Sequence, residues 1–174
     1  MTREGWDNLH AALRLFMDRC KDFLRQQDAE SLLREELVST GPYAALMVLM
    51  SRSPQYKSRF APEILEAILR GPHQSLVLAR DVLRSLPRTV LEEQVPGLLA
   101  GMLEGGDDHE YSRAAEIVVE LRLDKALVIT RTMGLSQLDA DIREIIRDLE
   151  NVEHDPLRWG RLVHEWPLMG VENE

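Results

Sequence analysis

Apolar residues recur every three to four positions along most of the chain, which is the spacing of one face of an α-helix. The first such stripe lies within residues 6–25, and the last clear one lies within residues 137–152. No stretch alternates β-branched and polar residues, so the pattern predicts no strand. We therefore expect an all-α fold. The first stripe consists of Leu9, Leu13, Phe16, Met17, Cys20, Phe23 and Leu24, and the last of Ile142, Ile145, Ile146 and Leu149.

The middle of the chain contains one helical pattern twice. Residues 61–71 reappear as residues 95–105, at an offset of 34 positions, and each copy begins with an apolar residue and a proline. The next helix recurs as well, since Ala79, Val82, Leu83 and Leu86 correspond to Ala114, Ile117, Val118 and Leu121. Two helices per repeat and a period near 34 residues predict an α-solenoid. The same register extends back to Ala45, Val48 and Leu49.

Proline, glycine and acidic residues divide the chain into helical segments. The longest break between helices is Ser53–Phe60, which we interpret as a loop and as a flexible or functional insertion. The acidic run Asp107–Glu110 is interpreted as a helix N-cap, because adjacent side chains at a helix start point in different directions. We expect a single solenoid domain, with an N-terminal cap helix in residues 1–27, helical repeats in residues 28–152 and a C-terminal capping segment in residues 153–174.

These motifs resemble the HEAT-like, armadillo-type family of α-helical repeats. The chain has Pro62-x-x-Leu65-x-x-x-Leu69 before Ala79-x-x-Val82-Leu83-x-x-Leu86, and Pro96-x-x-Leu99-x-x-x-Leu103 before Ala114-x-x-Ile117-Val118-x-x-Leu121. The resemblance covers residues 29–152. It implies a right-handed α-α superhelix of about four helix pairs, with a helical cap at each end. The tetratricopeptide family shares the period, but its Trp-x-x-Leu-Gly-x-x-Tyr opening is absent from every repeat.

Cysteine content and hydropathy predict the compartment. The single cysteine, Cys20, excludes an intramolecular disulfide and fits a reducing environment. The first residues lack the apolar region of a secretion signal, and the longest apolar run, Ala44–Met50, is too short to span a bilayer. We therefore expect a cytoplasmic protein, of bacterial type, with no membrane contact.

The net charge of −9 limits the choice of partner. Residues 1–60 carry nine basic and eight acidic groups, so the negative charge lies in residues 61–174. Because affinity for phosphates depends on counterion release by Lys and Arg, we expect no nucleic-acid binding. An acidic surface steers basic molecules toward it, so the expected partner is a basic protein.

No motif for catalysis, nucleotide binding or metal binding is present. The chain lacks the dinucleotide glycine pattern, the phosphate loop, the nucleophile elbow and the His-Glu-x-x-His zinc motif. We therefore expect no cofactor, no metal and no enzymatic activity.

The resemblance implies where a partner binds, because the second helices of such repeats line the concave face. Basic and acidic residues alternate on these helices. The pattern fits either a mixed-charge groove that recognises a protein or a solvated surface with many salt bridges. The predicted partner-binding residues on this face are Arg80, Arg84, Arg113, Glu116, Glu120, Arg143 and Arg147.

The C-terminal tail holds two of the three tryptophans. Trp159, Leu162, Val163 and Trp166 share one face of a predicted helix. This stripe either covers the open end of the last repeat or docks on a partner or a second copy, which would give a homodimer through the tail. Trp159 and Trp166 are therefore also predicted partner-binding residues.

Three functions remain open at this point. The leading one is a non-enzymatic protein-binding module that uses the concave face. The second is a bacterial immunity or antitoxin protein that masks a basic toxin by charge complementarity. The third is a nucleic-acid enzyme of the DNA glycosylase type, since HEAT-like folds include such enzymes.

Overall fold

The computed structural model describes residues 2–154, with side chains through Asn151. Every regular element in that range is a helix, which confirms the all-α class. The predicted tail residues Trp159 and Trp166, and nearly all of segment 153–174, lie outside the described residues. The α-helices are α1 (Arg3–Phe23), α2 (Ala29–Leu37), α3 (Tyr43–Met50), α4 (Pro54–Lys57), α5 (Ala61–Leu69), α6 (His73–Arg84), α7 (Arg88–Glu93), α8 (Val95–Leu103), α9 (Asp108–Glu120), α10 (Asp124–Ser136) and α11 (Ala140–His154).

The contacts of the chain fall into two compact units, one ending at Leu99 and one beginning at Ala100. In the first unit, α2 packs on α3 and α5 packs on α6. In addition, α2 packs on α5 and α3 packs on α6. Two helix pairs therefore stack with their first helices side by side and their second helices side by side.

The core of the first unit is aliphatic. The positions that recur in the sequence are buried here, since Ala79, Val82 and Leu83 are fully inaccessible and Ala45 and Leu49 are nearly so. Burial of one such leucine contributes about 1.5–3 kcal/mol. Helical periodicity therefore identified the packing face of α3 and of α6 correctly.

The segment Ser53–Phe60 is not the loop that the sequence predicts. Ser53 caps α4 by accepting a 3.3 Å hydrogen bond from the Tyr56 amide, and Pro54 occupies the first turn. A 3₁₀ turn, Ser58–Phe60, continues directly into α5. Phe60 is fully buried and Lys57 is 5% exposed. The expectation of a loop was wrong because Ser-Pro, which breaks one helix, also begins the next.

Most of the apolar stripe of helix α1 is not buried within the chain. Thr2 caps the helix by accepting a 3.2 Å hydrogen bond from the Gly5 amide. Of the 21 residues of α1, Cys20 alone is buried. Leu9 and Leu13, which belong to the predicted stripe, are 53% and 55% exposed. The apolar stripe is therefore real in sequence, but only its C-terminal end packs within the chain.

The second unit is built on α9, α10 and α11, each of which packs on the other two. The acidic run caps α9, as the sequence predicts, and it forms a full capping box: Asp107 accepts from the Glu110 amide at 2.8 Å, and Glu110 accepts from the Asp107 amide at 3.1 Å. Gly134 of α10 lies so close to Ile146 of α11 that an added Cβ atom would be 2.4 Å from Ile146 Cγ1. This glycine therefore permits the close contact of α10 and α11.

Candidate protein-binding surfaces

The structure distributes the seven predicted concave-face residues over three helices. Arg80 and Arg84 lie on α6 in the first unit. Helix α9 and helix α11, which pack together in the second unit, carry the other five. These five residues are Arg113, Glu116 and Glu120 on α9 and Arg143 and Arg147 on α11. Their contact with a partner stays a prediction.

On α6, the ion pair between Arg84 and Asp81 fits the interpretation of the charged face as a solvated surface with salt bridges. Arg84 Nη1 lies 2.5 Å from Asp81 Oδ1, one turn earlier on the same helix. The Arg84 side chain is 53% exposed, so water screens the pair. An ion pair of this kind contributes about 0–1 kcal/mol. Because the pair is weak, a partner could bind either charged group with little loss of free energy.

Arg143 has a local structural role that periodicity could not reveal. Its Nε atom donates a 3.0 Å hydrogen bond to the Gln137 carbonyl, and its Nη2 atom donates a 2.8 Å bond to the Leu138 carbonyl. The guanidinium thus ties the linker between α10 and α11 to the first turn of α11. Charge-assisted bonds to backbone carbonyls fix the linker geometry.

A polar groove of about 510 Å³ lies in the first unit, where α1 ends, α2 begins and α3 leads into α4. We call it the Arg52 groove. Two glutamine amides, a phenol and a guanidinium give it hydrogen-bond donors, which suit an anionic or amide group. Its lining residues are Leu24, Gln26, Gln27, Ala29, Glu30, Ser51, Arg52, Ser53 and Tyr56.

Arg52 is the half-buried cation of this groove. Its Nε atom donates a 3.1 Å hydrogen bond to Ser51 Oγ. Within residues 2–151, no carboxylate oxygen lies within ion-pair distance of its guanidinium. Burial raises the pKa of the neighbouring Tyr56 phenol, and the positive charges of Arg59 and Arg52 oppose that rise. The phenol therefore stays protonated and can donate.

One wall of the groove is held by a network of ionic and aromatic contacts. Arg59 forms a bidentate ion pair with Glu30, with Nη1 2.5 Å from Oε1 and Nη2 2.7 Å from Oε2. Arg34 donates to the Arg59 carbonyl at 2.7 Å, pairs with Glu63 and lies 4.8 Å above the Phe60 ring. These contacts connect α2 to the 3₁₀ turn and to α5. The wall that carries Glu30 is therefore preorganised.

A smaller groove of about 320 Å³ lies at the other end of α2, beside the ends of α5 and the start of α6. Val38, which lines it, is 47% exposed. Arg70 and Glu66 contribute an ion pair at 3.9 Å. This groove is more apolar than the Arg52 groove.

Helix α3 presents an apolar outer face. Its sequence, Tyr-Ala-Ala-Leu-Met-Val-Leu-Met, contains no polar side chain except the tyrosine hydroxyl. Ala45, Leu46 and Leu49 pack inward, whereas Tyr43 is 57% and Met50 is 40% exposed. These two residues are seven positions apart and therefore share one face of the helix. The apolar run is visible in the sequence, but the exposure of Tyr43 and Met50 is visible only in the structure.

Two other kinds of site are absent from the part of the chain that the structure describes. Within the described range, no three His, Cys, Asp or Glu side chains converge as metal ligands would. None of the helices in residues 2–154 combines the length and the apolar character needed to cross a bilayer.

No family model, curated protein or solved structure matches the chain. The resemblance to HEAT-like repeats therefore rests on the sequence motifs alone.

Proposed function

We propose that this protein is a non-enzymatic protein-binding module whose helix pairs continue as a HEAT-like, right-handed solenoid. The observation that carries the proposal is the exposed apolar face of α3, with Tyr43 and Met50 at its two ends. A helix that is apolar on all sides is normally buried on all sides. Three of the eight residues of α3, namely Tyr43, Ala44 and Met50, are exposed, and we infer that a partner covers them.

The residue types on this face are those that protein interfaces favour. Tyrosine and methionine are enriched at interfaces relative to the rest of a protein surface. Methionine adapts to irregular partner surfaces, and tyrosine combines an apolar ring with one polar atom. Removal of this apolar area from water would contribute about 25 cal/mol per Å² before the costs of association.

Two further observations support the solenoid and the kind of partner. The stacking of α2 on α5 and of α3 on α6 is the side-by-side arrangement that successive helical repeats require. The net charge of −9 favours a basic protein partner, as an immunity protein would have. The α3 face would supply affinity, and the negative charge of residues 61–174 would supply rate and selectivity.

Site-specific photo-cross-linking in the native host tests the proposal. A photoreactive phenylalanine analogue replaces Tyr43 in one variant and Met50 in another. Leu138, which is 91% exposed in the linker between α10 and α11, is the matched control position. We expect the same protein to be captured at positions 43 and 50 and not at 138, and purified partner to bind the wild type.

The variant Tyr43→Asp should weaken binding of the purified partner by about tenfold or more, which is 1.4 kcal/mol. The circular dichroism spectrum should not change, because the side chain is exposed. Equal capture at all three positions, or unchanged affinity of Tyr43→Asp, would argue against the α3 face as the binding surface.

A further inference from the structure

Helix α1 carries a heptad pattern over its full length. Six of its apolar residues alternate spacings of three and four, as the a and d positions of a coiled coil do. These residues are Trp6, Leu9, Leu13, Phe16, Cys20 and Phe23. We call them the α1 seam. A globular amphipathic helix needs only a broad apolar stripe, whereas a strict alternation of this kind is typical of helix-to-helix packing.

The C-terminal half of the seam is more buried than its N-terminal half. Cys20 is 3% exposed, and Phe16 and Phe23 are half-buried. Leu13, Leu9 and Trp6 are 55%, 53% and 48% exposed. The Trp6 ring contacts His10 of its own helix at a centroid distance of 4.8 Å. The seam therefore begins in the packed part of the first unit, and its exposed part, from Leu13 to Trp6, extends for about 10 Å at 1.5 Å per residue.

The residues beside the seam allow a second helix to approach. Gly5 and Ala12, seven positions apart, are small and lie on one flank at g positions. No acidic residue occupies an e or g position, where two copies would place like charges together. The g flank is therefore small over the N-terminal half of α1, and neither flank carries acidic repulsion that would oppose pairing.

The charges of α1 favour a second copy in antiparallel orientation. Residues 3–12 contain one basic and two acidic side chains, whereas residues 13–23 contain three basic and two acidic ones. An antiparallel pair brings these oppositely charged halves together and also opposes the two helix dipoles favourably. A membrane surface is a poorer cover, because α1 carries as many acidic as basic groups and anionic lipids would gain no net attraction.

We propose that α1 is a self-association element, and that the α1 seams of two copies pack antiparallel across a two-fold axis. Trp6 of one copy packs against Phe16 of the other, and Leu9 packs against Leu13. Ala12 then faces Ala12 of the second copy near the axis. This inference concerns a surface separate from α3, so it stands or falls independently of the proposed function.

The size of the interface sets the expected affinity. Two helices that pair over about four turns bury on the order of 1,000 Å² in total, the lower limit for specific association. We therefore expect a reversible dimer of the full chain, with a dissociation constant on the order of 1–100 µM.

Sedimentation equilibrium of the full chain tests the pairing. Leu13→Asp places a charge in the seam and should weaken the dimer by at least about tenfold. Leu15→Asp is the matched control, since Leu15 is equally exposed, at 60%, on the same helix but points away from the seam. A wild type that stays monomeric at 300 µM, on the order of the highest usable concentration, overturns the proposal. A dimer that persists in Leu13→Asp also overturns it and indicates another surface, such as the tail.

Engineered cysteines test the orientation, and the one native thiol, Cys20, is buried and does not interfere. Ala12→Cys should form an intermolecular disulfide under mild oxidation, because the two positions meet at the axis. Gly5→Cys lies on the same flank but faces residue 19 of the second copy, so it should not. Equal cross-linking of both variants would contradict the antiparallel arrangement.

Discussion

The Lys57 ammonium donates a 2.7 Å hydrogen bond to the Ser85 hydroxyl and so joins the end of α4 to the C-cap of α6. Lys57 is 5% exposed, and no carboxylate within the described residues pairs with it. Burial lowers the pKa of the Lys57 ammonium from its usual value of 10.5. The first unit therefore holds a positive charge against one neutral side chain, and this arrangement costs stability.

Replacement of Lys57 by methionine should stabilise the protein at neutral pH. Methionine fills a similar volume without burying a charge, so the free energy of unfolding should rise by about 1 kcal/mol. In the wild type, the folded state loses the Lys57 proton at a lower pH than the unfolded state. Stability should therefore rise with pH between the lowered pKa and 10.5, and Lys57→Met should lose this rise.

Urea denaturation at a series of pH values measures the effect of Lys57→Met. Lys125→Met is the control, because Lys125 is exposed on α10. A destabilised Lys57→Met variant, or a pH dependence equal to that of the wild type, would contradict the buried-charge explanation.

Removal of the Ser85 hydroxyl should have the opposite effect. Ser85→Ala leaves the buried Lys57 ammonium without its side-chain acceptor and should lower the free energy of unfolding by about 1–3 kcal/mol. The same change in the Lys57→Met background should cost much less, since no ammonium then needs the acceptor. A double-mutant cycle by urea denaturation gives this coupling, and additive effects would show that the hydrogen bond contributes nothing.

Two glycines should respond to alanine in opposite ways. A Cβ atom at Gly71 would lie 2.2 Å from the Ala67 carbonyl oxygen, so Gly71→Ala must distort the end of α5 and should cost about 1–3 kcal/mol. Gly101 lies inside α8 with open space around its Cβ position, so Gly101→Ala should stabilise by about 0.5–1 kcal/mol. Thermal unfolding of both variants decides whether Gly71 has the steric role that Gly101 lacks.

Alanine at Gly134 should open the contact between α10 and α11. The added methyl would lie 2.4 Å from Ile146 Cγ1 and 2.6 Å from Cδ1, and Ile146 is fully buried. We expect a loss of about 1–3 kcal/mol, typical of overpacking. Ile146→Ala removes both of these atoms, so the double variant should be less destabilised than the two single changes added together. Simple additivity would indicate that the clash relaxes elsewhere.

Helix positions and packing faces were largely predictable from the sequence, because they depend on local spacing. Prolines and the Asp107–Glu110 run located helix starts, and the recurrence of Ala79, Val82 and Leu83 identified a buried face. What failed was the distinction between a break and a short helix at Ser53–Phe60. A Ser-Pro pair has the same local signature in both cases, and only the burial of Phe60 decides between them.

The candidate surfaces were less predictable, because exposure depends on which neighbour covers a stripe. The pattern of α1 predicts an apolar face, but the sequence does not tell whether Leu9 and Leu13 meet their own chain or another one. The same holds for Tyr43 and Met50 on α3. In the sequence, Arg143 does not differ from the other charged positions of its face. Only the structure shows that it donates to two linker carbonyls.

The position of Cys20 makes the attachment of α1 measurable without any mutation. The only thiol of the chain lies at the buried end of this helix, and burial raises its pKa above the usual value. An aromatic disulfide reagent can therefore attack it only when the helix detaches and the thiol ionises in water. The rate of labelling in native buffer thus measures how often this one helix detaches. The rate should fall under any condition that covers the exposed N-terminal part of α1.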